Sequence, residues 1–497
     1  MFVCKYVYQS TFHFLKLKCE YICINMTVFR IKCKKVKRNY KNLWEAKKVM
    51  WSVGTAFAMK IGDNCLLLTA YHIIEDAIEI GVIPDKSRTS YTGKCILHSY
   101  EIDLAIIEIV GYDHELINPF HSSNQSCEYL LKNELKQGSM ISVLGFPNNE
   151  LSSSLTTGVV SRICFKKVND HLPHIVAQID ASISLGNSGG PVFTDDKIVC
   201  GMVLGGLLEN GNSNISFILP IFTIERYLRE YRYMFSSEIK NLPECCDLGI
   251  VTKPTQVIVS RNSMECPEII SVGYNGPSDV KLFKKDVIIS INGYDISQYD
   301  LLTNGLPYWQ IVREKYPHDT VTLKVLRNNE TVTVILCLDS IVKPLLPIKG
   351  SDIDVHYYMF AGLDFMALNM HYFYPLSDNI ISDNIINLYH KYKDEFAHGN
   401  SQVVILKSII PSEITSKYKY YNNENLVLTH INNKRIRNMR SVFSACENIS
   451  ENNEMIQFKF SNPNNKTEET IELDHKLALE RSNHISNSFM DRKYHNY

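Results

Sequence analysis

Short apolar segments separated by turn residues occupy the chain from about residue 49 to residue 233. Runs rich in β-branched and aromatic side chains, bounded by Gly, Pro, Asn or Asp, are typical of β-strands. The predicted strands comprise residues 52–59, 64–69, 78–83, 93–98, 104–110, 140–145, 157–163, 174–179, 192–193, 198–204 and 216–219. Many short strands predict a β-barrel architecture. One apolar face over residues 223–233, formed by Ile224, Tyr227, Leu228 and Tyr231, predicts a closing amphipathic helix.

The pattern changes after residue 242, where a second β-rich region begins. Residues 284–293 read Lys-Lys-Asp-Val-Ile-Ile-Ser-Ile-Asn-Gly, and the terminal Asn292-Gly293 pair is a strong signal for a tight turn. Residues 321–327 and 330–338 are two further strands joined through Asn328-Asn329, which predicts a hairpin.

A weaker copy of this region follows at residues 360–365 and 426–433. Asn433 stands where the first copy has Gly293, and the turn can survive because Asn tolerates positive φ better than most residues. Between the two parts of the copy, residues 367–400 form an insert that we expect to be partly helical. Its aromatic residues include Tyr372, Phe373, Tyr374, Tyr389 and Tyr392. After about residue 475 the chain becomes polar, which predicts a short helix and a frayed end.

Length and composition indicate a folded protein of about three domains. The chain has 497 residues, 45% of them hydrophobic, and a formal net charge of −1. This charge does not point to nucleic acid or an anionic membrane as a partner. We expect no membrane span, because no apolar run reaches about 18 residues. The 14 cysteines contain no Cys-x-x-Cys pair, which favours free thiols in a reducing, intracellular compartment over structural disulfides.

The first 41 residues differ from the rest, being rich in Lys, Phe, Tyr and Cys with Glu20 as their only acidic residue. Three interpretations are open: a mitochondrial or other organellar leader, a nuclear address at residues 32–38, or a disordered basic arm with Met26 as an alternative start. The changes in pattern predict five segments. These are a basic leader or arm over residues 1–43, domains over 44–235, 242–340 and 350–478, and a tail over 479–497.

Three segments carry the residues of a hydrolytic site. Ser188 lies in Gly-Asn-Ser-Gly-Gly-Pro, His72 follows the apolar run Leu-Leu-Leu-Thr-Ala-Tyr, and Asp103 precedes an apolar strand. A serine is a weak nucleophile that needs an adjacent base, which a third group must orient. The order His72, Asp103, Ser188 is that of chymotrypsin-like proteases. The sequence therefore predicts Ser188 as nucleophile, His72 as general base and Asp103 as the group that orients His72.

These motifs resemble those of the HtrA/Deg family of trypsin-like serine proteases, and the long DegP-like proteases of plants and protists are most similar. The resemblance covers residues 44 to 478 approximately. It implies a mainly β fold, with a chymotrypsin-like double β-barrel protease domain followed by two PDZ-like α+β domains. It also implies ATP-independent endopeptidase activity on unfolded or misfolded polypeptides in protein quality control, and assembly into a trimer or hexamer. The alternative function is a catalytically silent PDZ-bearing chaperone or scaffold.

The resemblance further implies roles for other residues. Backbone N–H groups at Gly186, Asn187 and Ser188 should form the oxyanion hole. The primary specificity pocket should be lined by Ser216, Phe217 and Ile218, with residues 203–206 opposite, and its apolar character predicts small or aliphatic residues at the cleaved position. Two departures from the family pattern are Tyr71, whose ring is expected to crowd the barrel core or tilt His72, and Leu185, which is expected to loosen the oxyanion loop.

In the first PDZ-like domain, Leu248, Gly249 and Ile250 should capture peptide C-termini through backbone N–H groups. In the second, Asp364 is expected to lie in the corresponding loop and repel a carboxylate ligand, so we expect that domain mainly to pack. The residues indicate no metal site, because His171 and His174 lack further ligands. No phosphate-binding loop is present in the sequence, and no cofactor is predicted.

Overall fold

The computed structural model describes residues 28–37, 48–61, 64–111, 135–167, 173–194, 199–206, 215–225, 227–228, 246–259, 262–303, 306–338, 345–347, 357–373, 383–418, 425–449 and 454–489. The chain divides into two compact units at about residue 242. The predicted mainly β class is confirmed: each unit is built from antiparallel strands, and the first unit contains two closed barrels.

The first barrel has six strands and one short helix. The strands are β1 (Val28–Lys37), β2 (Lys48–Ile61), β3 (Asn64–Ala70), β4 (Ala77–Pro84), β5 (Tyr91–Ser99) and β6 (Leu104–Val110), and the helix α1 (Tyr71–Ile74) directly follows β3. The strand order is β1-β2-β3-β6-β5-β4, and pairing of β1 with β4 closes the barrel.

Strand β1 corrects the prediction of a basic arm over residues 1–43, because Val28–Lys37 is part of the barrel wall. Phe29, Ile31 and Cys33 are fully buried, whereas the basic residues between them alternate with these positions. Alternate residues of a strand point to opposite faces, so a segment of basic composition still supplies one apolar face to the core. Residues 1–27, with Met26 and Glu20, lie outside the described part of the chain.

The second barrel contains β7 (Met140–Gly145), β8 (Ser154–Lys167), β9 (Pro173–Ile179), β10 (Pro191–Thr194), β11 (Val199–Gly206) and β12 (Ser216–Pro220), in the order β10-β11-β12-β9-β8-β7. A 3₁₀ turn covers Pro147–Asn149. Residues 221–225 and 227–228 are helical, within and just before the predicted closing helix, whose Tyr231 lies outside the described residues. The side chains of Ile141, Val143, Val160, Ile179 and Ile218 form the core of this barrel.

The second unit begins with a seven-stranded sheet. Its strands are β13 (Ile250–Val259), β14 (Asn262–Val272), β15 (Val287–Ile291), β16 (Tyr294–Gln298), β17 (Leu301–Leu302), β18 (Thr320–Arg327) and β19 (Glu330–Cys337), with helix α2 at Tyr308–Arg313. The predicted turn at Asn292-Gly293 joins β15 to β16, and both residues have positive φ. The predicted hairpin through Asn328-Asn329 joins β18 to β19.

A second seven-stranded sheet follows. It contains β20 (Tyr357–Phe360), β21 (Leu363–Ala367), β22 (Val404–Ile409), β23 (Leu426–Ile431), β24 (Lys434–Arg435), β25 (Met455–Ser461) and β26 (Glu468–Asp474). Its helices are α3 (Asp383–Tyr392), α4 (Met439–Glu447) and α5 (His475–Phe489), and 3₁₀ turns cover Met370–Tyr372 and Ser416–Tyr418. Asn433 adopts φ 64°, as its place in the predicted turn requires.

One prediction for this region needs correction, and one is confirmed. The short helix expected after residue 475 is present as α5, but it continues to Phe489. The Ala361 backbone N–H donates to Ser482 Oγ over 2.7 Å, so the second domain extends beyond the boundary predicted at residue 478. The expectation that the insert is partly helical is confirmed by helix α3, whose Leu388 is fully buried against Met366, Leu368 and Ile405. The apolar face of the insert therefore packs on its own domain.

Candidate active site

The pairing of two neighbouring strands brings His72 and Asp103 together. Ala70, at the end of β3, is paired with Leu104, at the start of β6. His72 follows Ala70 by two residues, and Asp103 directly precedes Leu104. Asp103 is buried and adopts φ 57°, a conformation that Asp and Asn tolerate better than most residues. The two side chains thus meet at one rim of the first barrel.

The Asp103 carboxylate binds His72 at two points. Its Oδ1 accepts a hydrogen bond from the His72 backbone N–H over 2.7 Å, and its Oδ2 lies 2.6 Å from ring atom Nδ1. The Asp103 carbonyl also accepts from the Tyr71 N–H over 3.1 Å. An Nδ1–H group that donates to a carboxylate leaves Nε2 as the unprotonated ring nitrogen. This arrangement suits His72 to accept a proton at Nε2.

The pKa of His72 is raised above its ordinary value by the sum of several effects. Burial of the ring lowers the pKa, but the charge of Asp103 and its hydrogen bond raise it. Among the more distant charges, Lys35 lowers the pKa and Glu75 raises it. The ring is therefore a stronger base than a free imidazole.

Ser188 lies on a turn in the second barrel that only glycine neighbours permit. Gly186 and Gly189 have φ 102° and 80°. A Cβ on Gly189 would lie 2.3 Å from the Thr55 carbonyl oxygen and 2.7 Å from the Ala70 nitrogen, so the turn packs against the end of β3, close to His72. Within the described residues, the Ser188 hydroxyl makes no hydrogen bond to the His72 ring. Such bonds are often long in unliganded proteases and tighten when substrate binds.

Thr55 of the first barrel is hydrogen-bonded to this turn, and the sequence did not predict its role. Thr55 is fully buried. Its N–H donates to the Ser188 carbonyl over 2.9 Å, and its Oγ1 donates to the Gly186 carbonyl over 2.7 Å. The same Oγ1 accepts from the Phe146 N–H over 3.1 Å. No local sequence pattern marks Thr55 for this role.

The residues predicted for an oxyanion hole have different environments. The Asn187 N–H donates to the Ser184 carbonyl over 3.1 Å, and the Asn187 side chain is buried against Gly145. By contrast, neither the Gly186 N–H nor the Ser188 N–H donates to another described residue. Two backbone donors beside the serine hydroxyl are therefore available to a ligand oxygen.

The residues predicted for the specificity pocket do not all share one face of β12. Ile218 packs in the barrel core with Val203, whereas Phe217 packs with Val176, Cys164 and Leu204 and lies under the Lys166 ammonium group, 4.4 Å from the ring centre. Because side chains alternate along a strand, Ser216 and Ile218 point one way and Phe217 the other. Phe217 therefore does not share a face of β12 with Ser216 and Ile218, and the three side chains cannot line one pocket together.

The 203–206 segment lies beside Ser216 and Ile218, as their partner in the β11–β12 ladder, and does not face them across a gap. Gly205 in this segment has φ 141°, and a Cβ on it would lie 3.5 Å from Ser188 Oγ. The absence of a side chain at residue 205 therefore leaves space directly beside the serine hydroxyl.

Neither departure from the family motifs disturbs these contacts. The Tyr71 ring is buried, stacks on His98 with 4.7 Å between ring centres, and meets Tyr100 edge-on. The Tyr71 ring therefore fits between His98 and Tyr100 without the predicted crowding, and His72 keeps both hydrogen bonds to Asp103. Leu185 is 83% exposed, but its carbonyl accepts from the Asn148 N–H over 2.6 Å, so the predicted loosening finds no support in the bonding of the loop.

The loop predicted to bind peptide C-termini already contains a carboxylate. Asp247 Oδ1 accepts a hydrogen bond from the Gly249 N–H over 2.6 Å. Burial raises the pKa of Asp247, while the Gly249 N–H and the charge of Arg313 lower it. Leu248 is buried, and Gly249 has φ 67°. One of the N–H groups predicted to capture a ligand is therefore engaged by the protein itself.

Asp364 does not lie in a loop, which corrects the expectation for the second PDZ-like domain. It is a fully buried residue of β21, and its Oδ2 lies 3.3 Å from Lys407 Nζ and 3.3 Å from Ser408 Oγ. Burial raises the pKa of Asp364 to about 6, against the opposing influence of Lys407. The carboxylate is an internal partner of Lys407 and does not face a ligand.

Neither a metal site nor a membrane-spanning helix occurs in the described part of the chain. No group of three or more His, Cys, Asp or Glu side chains is arranged there to hold a metal ion. None of the helices described is both long and apolar enough to cross a bilayer.

Comparison with known proteins identifies both kinds of domain. The family model of a trypsin-like peptidase domain matches residues 54–202, and that of a PDZ domain matches residues 346–490. The Arabidopsis thaliana "Protease Do-like 4, mitochondrial" is 26% identical over 432 residues, with 82% of this chain and 76% of the relative covered. "Protease Do-like 2, chloroplastic" of the same plant is 25% identical over 413 residues, with 80% and 64% covered.

A solved structure supports the fold. It is an HtrA-type protease, AlgW in a serine-to-alanine variant, with a decapeptide. It has a TM-score of 0.50 and 17% sequence identity to this chain, and the match covers 65% of this chain and 97% of that one. At this identity the likeness concerns the fold alone.

Proposed function

This chain belongs to the HtrA/Deg family of trypsin-like serine proteases, and we propose that Ser188, His72 and Asp103 are its catalytic triad. It is a serine-type peptidase. The observation that carries the triad is the two-point contact of Asp103 with His72 beside the glycine turn of Ser188. The proposed activity is cleavage of peptide bonds within unfolded or misfolded polypeptides, without ATP.

In the first half of the reaction, Ser188 Oγ attacks the carbonyl carbon of the scissile bond, and its proton passes to His72 Nε2. Asp103 stabilises the resulting imidazolium through Nδ1. The negative charge on the substrate oxygen is received by the N–H groups of Gly186 and Ser188. One such donor is typically worth about 10²–10³ in rate. His72 then gives its proton to the leaving amine, and an acyl-enzyme remains.

In the second half, water replaces the amine. His72 accepts a proton from the water as it attacks the ester carbonyl, and returns a proton to Ser188 Oγ when the bond to the enzyme breaks. The new carboxyl terminus is released, and the enzyme returns to its starting state.

The absence of a side chain at Gly205, beside Ser188 Oγ, and the small Ser216 in the neighbouring strand support a preference for small or aliphatic side chains at the cleaved position. No acidic side chain on these positions would hold Lys or Arg there.

The remaining proposals rest on the family. Peptide C-termini are proposed to bind at Leu248, Gly249 and Ile250, and the chain to assemble as a trimer or a pair of trimers. A role in protein quality control follows from the same resemblance. The organellar names of the two plant relatives support an organellar address over a nuclear one.

The test compares purified wild-type protein with Ser188→Ala on unfolded casein and on a serine-reactive fluorophosphonate. We expect the variant to lose about 10⁴-fold or more in casein cleavage and to remain unlabelled while folded. Ser182→Ala is the matched control, because Ser182 is an exposed serine six residues earlier, and it should cleave normally. Equal cleavage by wild type and Ser188→Ala would refute the proposal.

The alternative function is a catalytically silent PDZ-bearing chaperone or scaffold. A wild-type protein that prevents aggregation of unfolded casein, but neither cleaves it nor reacts with the fluorophosphonate, would establish that alternative.

A further inference from the structure

Lys35 reaches the catalytic histidine from the first strand of the barrel. Its Nζ donates a hydrogen bond to the His72 carbonyl oxygen. The pairing of β1 with β4 shifts register between Lys34 and Lys35, and the Val36 N–H donates to the Asp76 carbonyl over 3.2 Å. This irregularity in β1 therefore lies at Lys35, the residue whose side chain contacts α1.

The helix that carries His72 has carbonyl groups available for such a donor. Helix α1 has only four residues, and its closing bond runs from the Glu75 N–H to the Tyr71 carbonyl. The last carbonyls of a helix lack intrahelical partners, and a nearby lysine can satisfy them by hydrogen bonding. Lys35 occupies this position relative to the His72 carbonyl.

The charges around the His72 ring come from three elements. Asp103 approaches from the turn before β6, Glu75 from the end of α1, and Lys35 from β1. The two carboxylates favour the imidazolium, whereas the lysine opposes it. Lys35 is thus the positively charged member of this set. Its side chain is also held in place by the hydrogen bond to the His72 carbonyl.

We propose that Lys35 is a positioning residue for the catalytic His72. It holds the single-turn helix in place through the His72 carbonyl, and its charge limits how tightly the ring retains a proton. The inference rests on the proposed function, since it assigns Lys35 to the same active site. The N-terminal strand then contributes to catalysis as well as to closure of the barrel.

The test uses three variants of the full chain. Lys35→Met removes the charge and the donor but keeps most of the side-chain volume, and Lys35→Arg keeps the charge. Lys34→Met is the matched control, because Lys34 is adjacent in β1 and forms an exposed ion pair with Glu79 over 3.3 Å. For each variant, the fluorophosphonate labelling rate is measured against pH, and kcat and KM for casein peptides are determined.

We expect Lys35→Met to move the acidic midpoint of the pH profile to higher pH, because a nearby positive charge is lost. It should also lower kcat by roughly 10-fold with little change in KM, less than the roughly 10²-fold that a 1 Å misplacement can cost. Lys35→Arg should retain the wild-type midpoint, and Lys34→Met should match wild type. An unchanged midpoint in Lys35→Met would overturn the proposal, as would a loss of thermal stability alone.

A second measurement does not depend on catalysis. The His72 ring is titrated by NMR in Ser188→Ala and in Ser188→Ala/Lys35→Met, with carbon-13 label at histidine Cε1 and the signal assigned by its loss in His72→Gln. The double variant should titrate at higher pH. If wild type fails to react with the fluorophosphonate, the proposed function fails, while this titration still decides the role of Lys35. If Lys35→Met does not fold, Lys35→Gln is judged by the same criterion.

Discussion

Asp103 fixes His72 at both its backbone and its ring, through hydrogen bonds of 2.7 Å to the main-chain N–H and 2.6 Å to Nδ1. One carboxylate therefore sets the position of the helix α1 and the tautomer of the imidazole together. Loss of the carboxylate charge should affect catalysis much more than folding.

Asp103→Asn tests this relationship with the smallest change in shape. Asn tolerates the φ of 57° at this position. Its amide has only one acceptor oxygen for two donors, the His72 backbone N–H and the ring Nδ1–H, so it favours the wrong tautomer. We expect kcat to fall by roughly 10⁴-fold with little loss of stability. The control is Asp85→Asn, whose carboxylate accepts from Ser153 and lies outside the site. Activity within about tenfold of wild type in Asp103→Asn would contradict the assigned role.

The raised pKa of His72 predicts opposite trends of activity and stability with pH. Labelling of Ser188 requires a neutral ring, so its rate should rise with a midpoint above the ordinary histidine value of 6.5. The bound proton contributes stability that is fully present below the unfolded pKa and is lost as pH rises through the folded pKa. The labelling rate and the free energy of unfolding are measured across this range, with His72→Gln as reference. A midpoint below 6.5 would show that Asp103 does not raise the pKa of His72 enough to offset the effect of burial.

Gly205→Ala should narrow the space beside the nucleophile. The added methyl group would lie 3.5 Å from Ser188 Oγ on a backbone with φ 141°. We expect labelling by a bulky peptidyl phosphonate to slow by roughly 10–100-fold, and by more than labelling by a small fluorophosphonate. Gly138→Ala is the matched control, because Gly138 also has positive φ, 84°, with nothing within 4 Å of an added Cβ. An equal effect on both reagents would exclude a steric role for residue 205.

Asp247→Ala should increase the affinity for peptide C-termini. The change frees the Gly249 N–H and removes a carboxylate that occupies the proposed binding loop. A charge-assisted hydrogen bond is worth about 1.5–3 kcal/mol, so roughly a tenfold gain is expected. Fluorescence anisotropy with C-terminal peptides on the Ser188→Ala background gives the affinity. Asp279→Ala is the control, since among the described residues its carboxylate accepts from the exposed Asn275 N–H of the same domain and lies outside the binding loop. Weaker binding in Asp247→Ala would mean that Asp247 supports the loop and does not compete for it.

Lys407→Met should destabilise the second PDZ domain. It leaves the buried Asp364 carboxylate without its 3.3 Å ammonium partner, a change that typically costs about 3–5 kcal/mol. Asp364→Leu/Lys407→Met should recover most of this loss, because apolar residues of similar volume often replace a buried pair without cost. Chemical denaturation gives the free energies of unfolding. A double variant no more stable than Lys407→Met would contradict this account.

The same pair predicts a pH dependence of stability. The folded pKa of Asp364, about 6, exceeds the ordinary value of 3.8, so the folded protein binds the proton more tightly than the unfolded one. The contribution of Asp364 to stability should therefore fall as pH rises from about 4 to about 6. The dependence should disappear in Asp364→Leu/Lys407→Met.

The sequence predicted the barrel strands because they depend on local patterns, and the three residues of the proposed triad stand out in the sequence for the same reason. Apolar runs bounded by turns mark the strands, and His72, Asp103 and Ser188 each lie in a distinctive motif. Strand β1 was missed because its basic composition concealed the alternation of Phe29, Ile31 and Cys33. Counting the period of two would have recovered it.

Contacts between distant strands explain most of the other differences. The hydrogen bond from Thr55 to Gly186 joins residues 131 positions apart in the sequence. The hydrogen bond from Lys35 to His72 joins residues 37 positions apart. No local pattern marks either residue. Asp364 was assigned to a loop by analogy with the first copy, although the buried Lys407 that pairs with it lies far along the chain. Phe217 could have been separated from Ser216 and Ile218, since adjacent residues of a strand point to opposite faces.

The division of the site between two barrels sets an order in time during synthesis. His72 and Asp103 belong to a barrel that β1 closes and that is complete at Val110, whereas Ser188 follows only after β9. Domains generally fold as units from the N-terminus as the chain emerges from the ribosome. On the proposed assignment of the triad, a growing chain therefore carries His72 and Asp103 before it carries the nucleophile Ser188, and it cannot attack itself or its neighbours until the second barrel has been made.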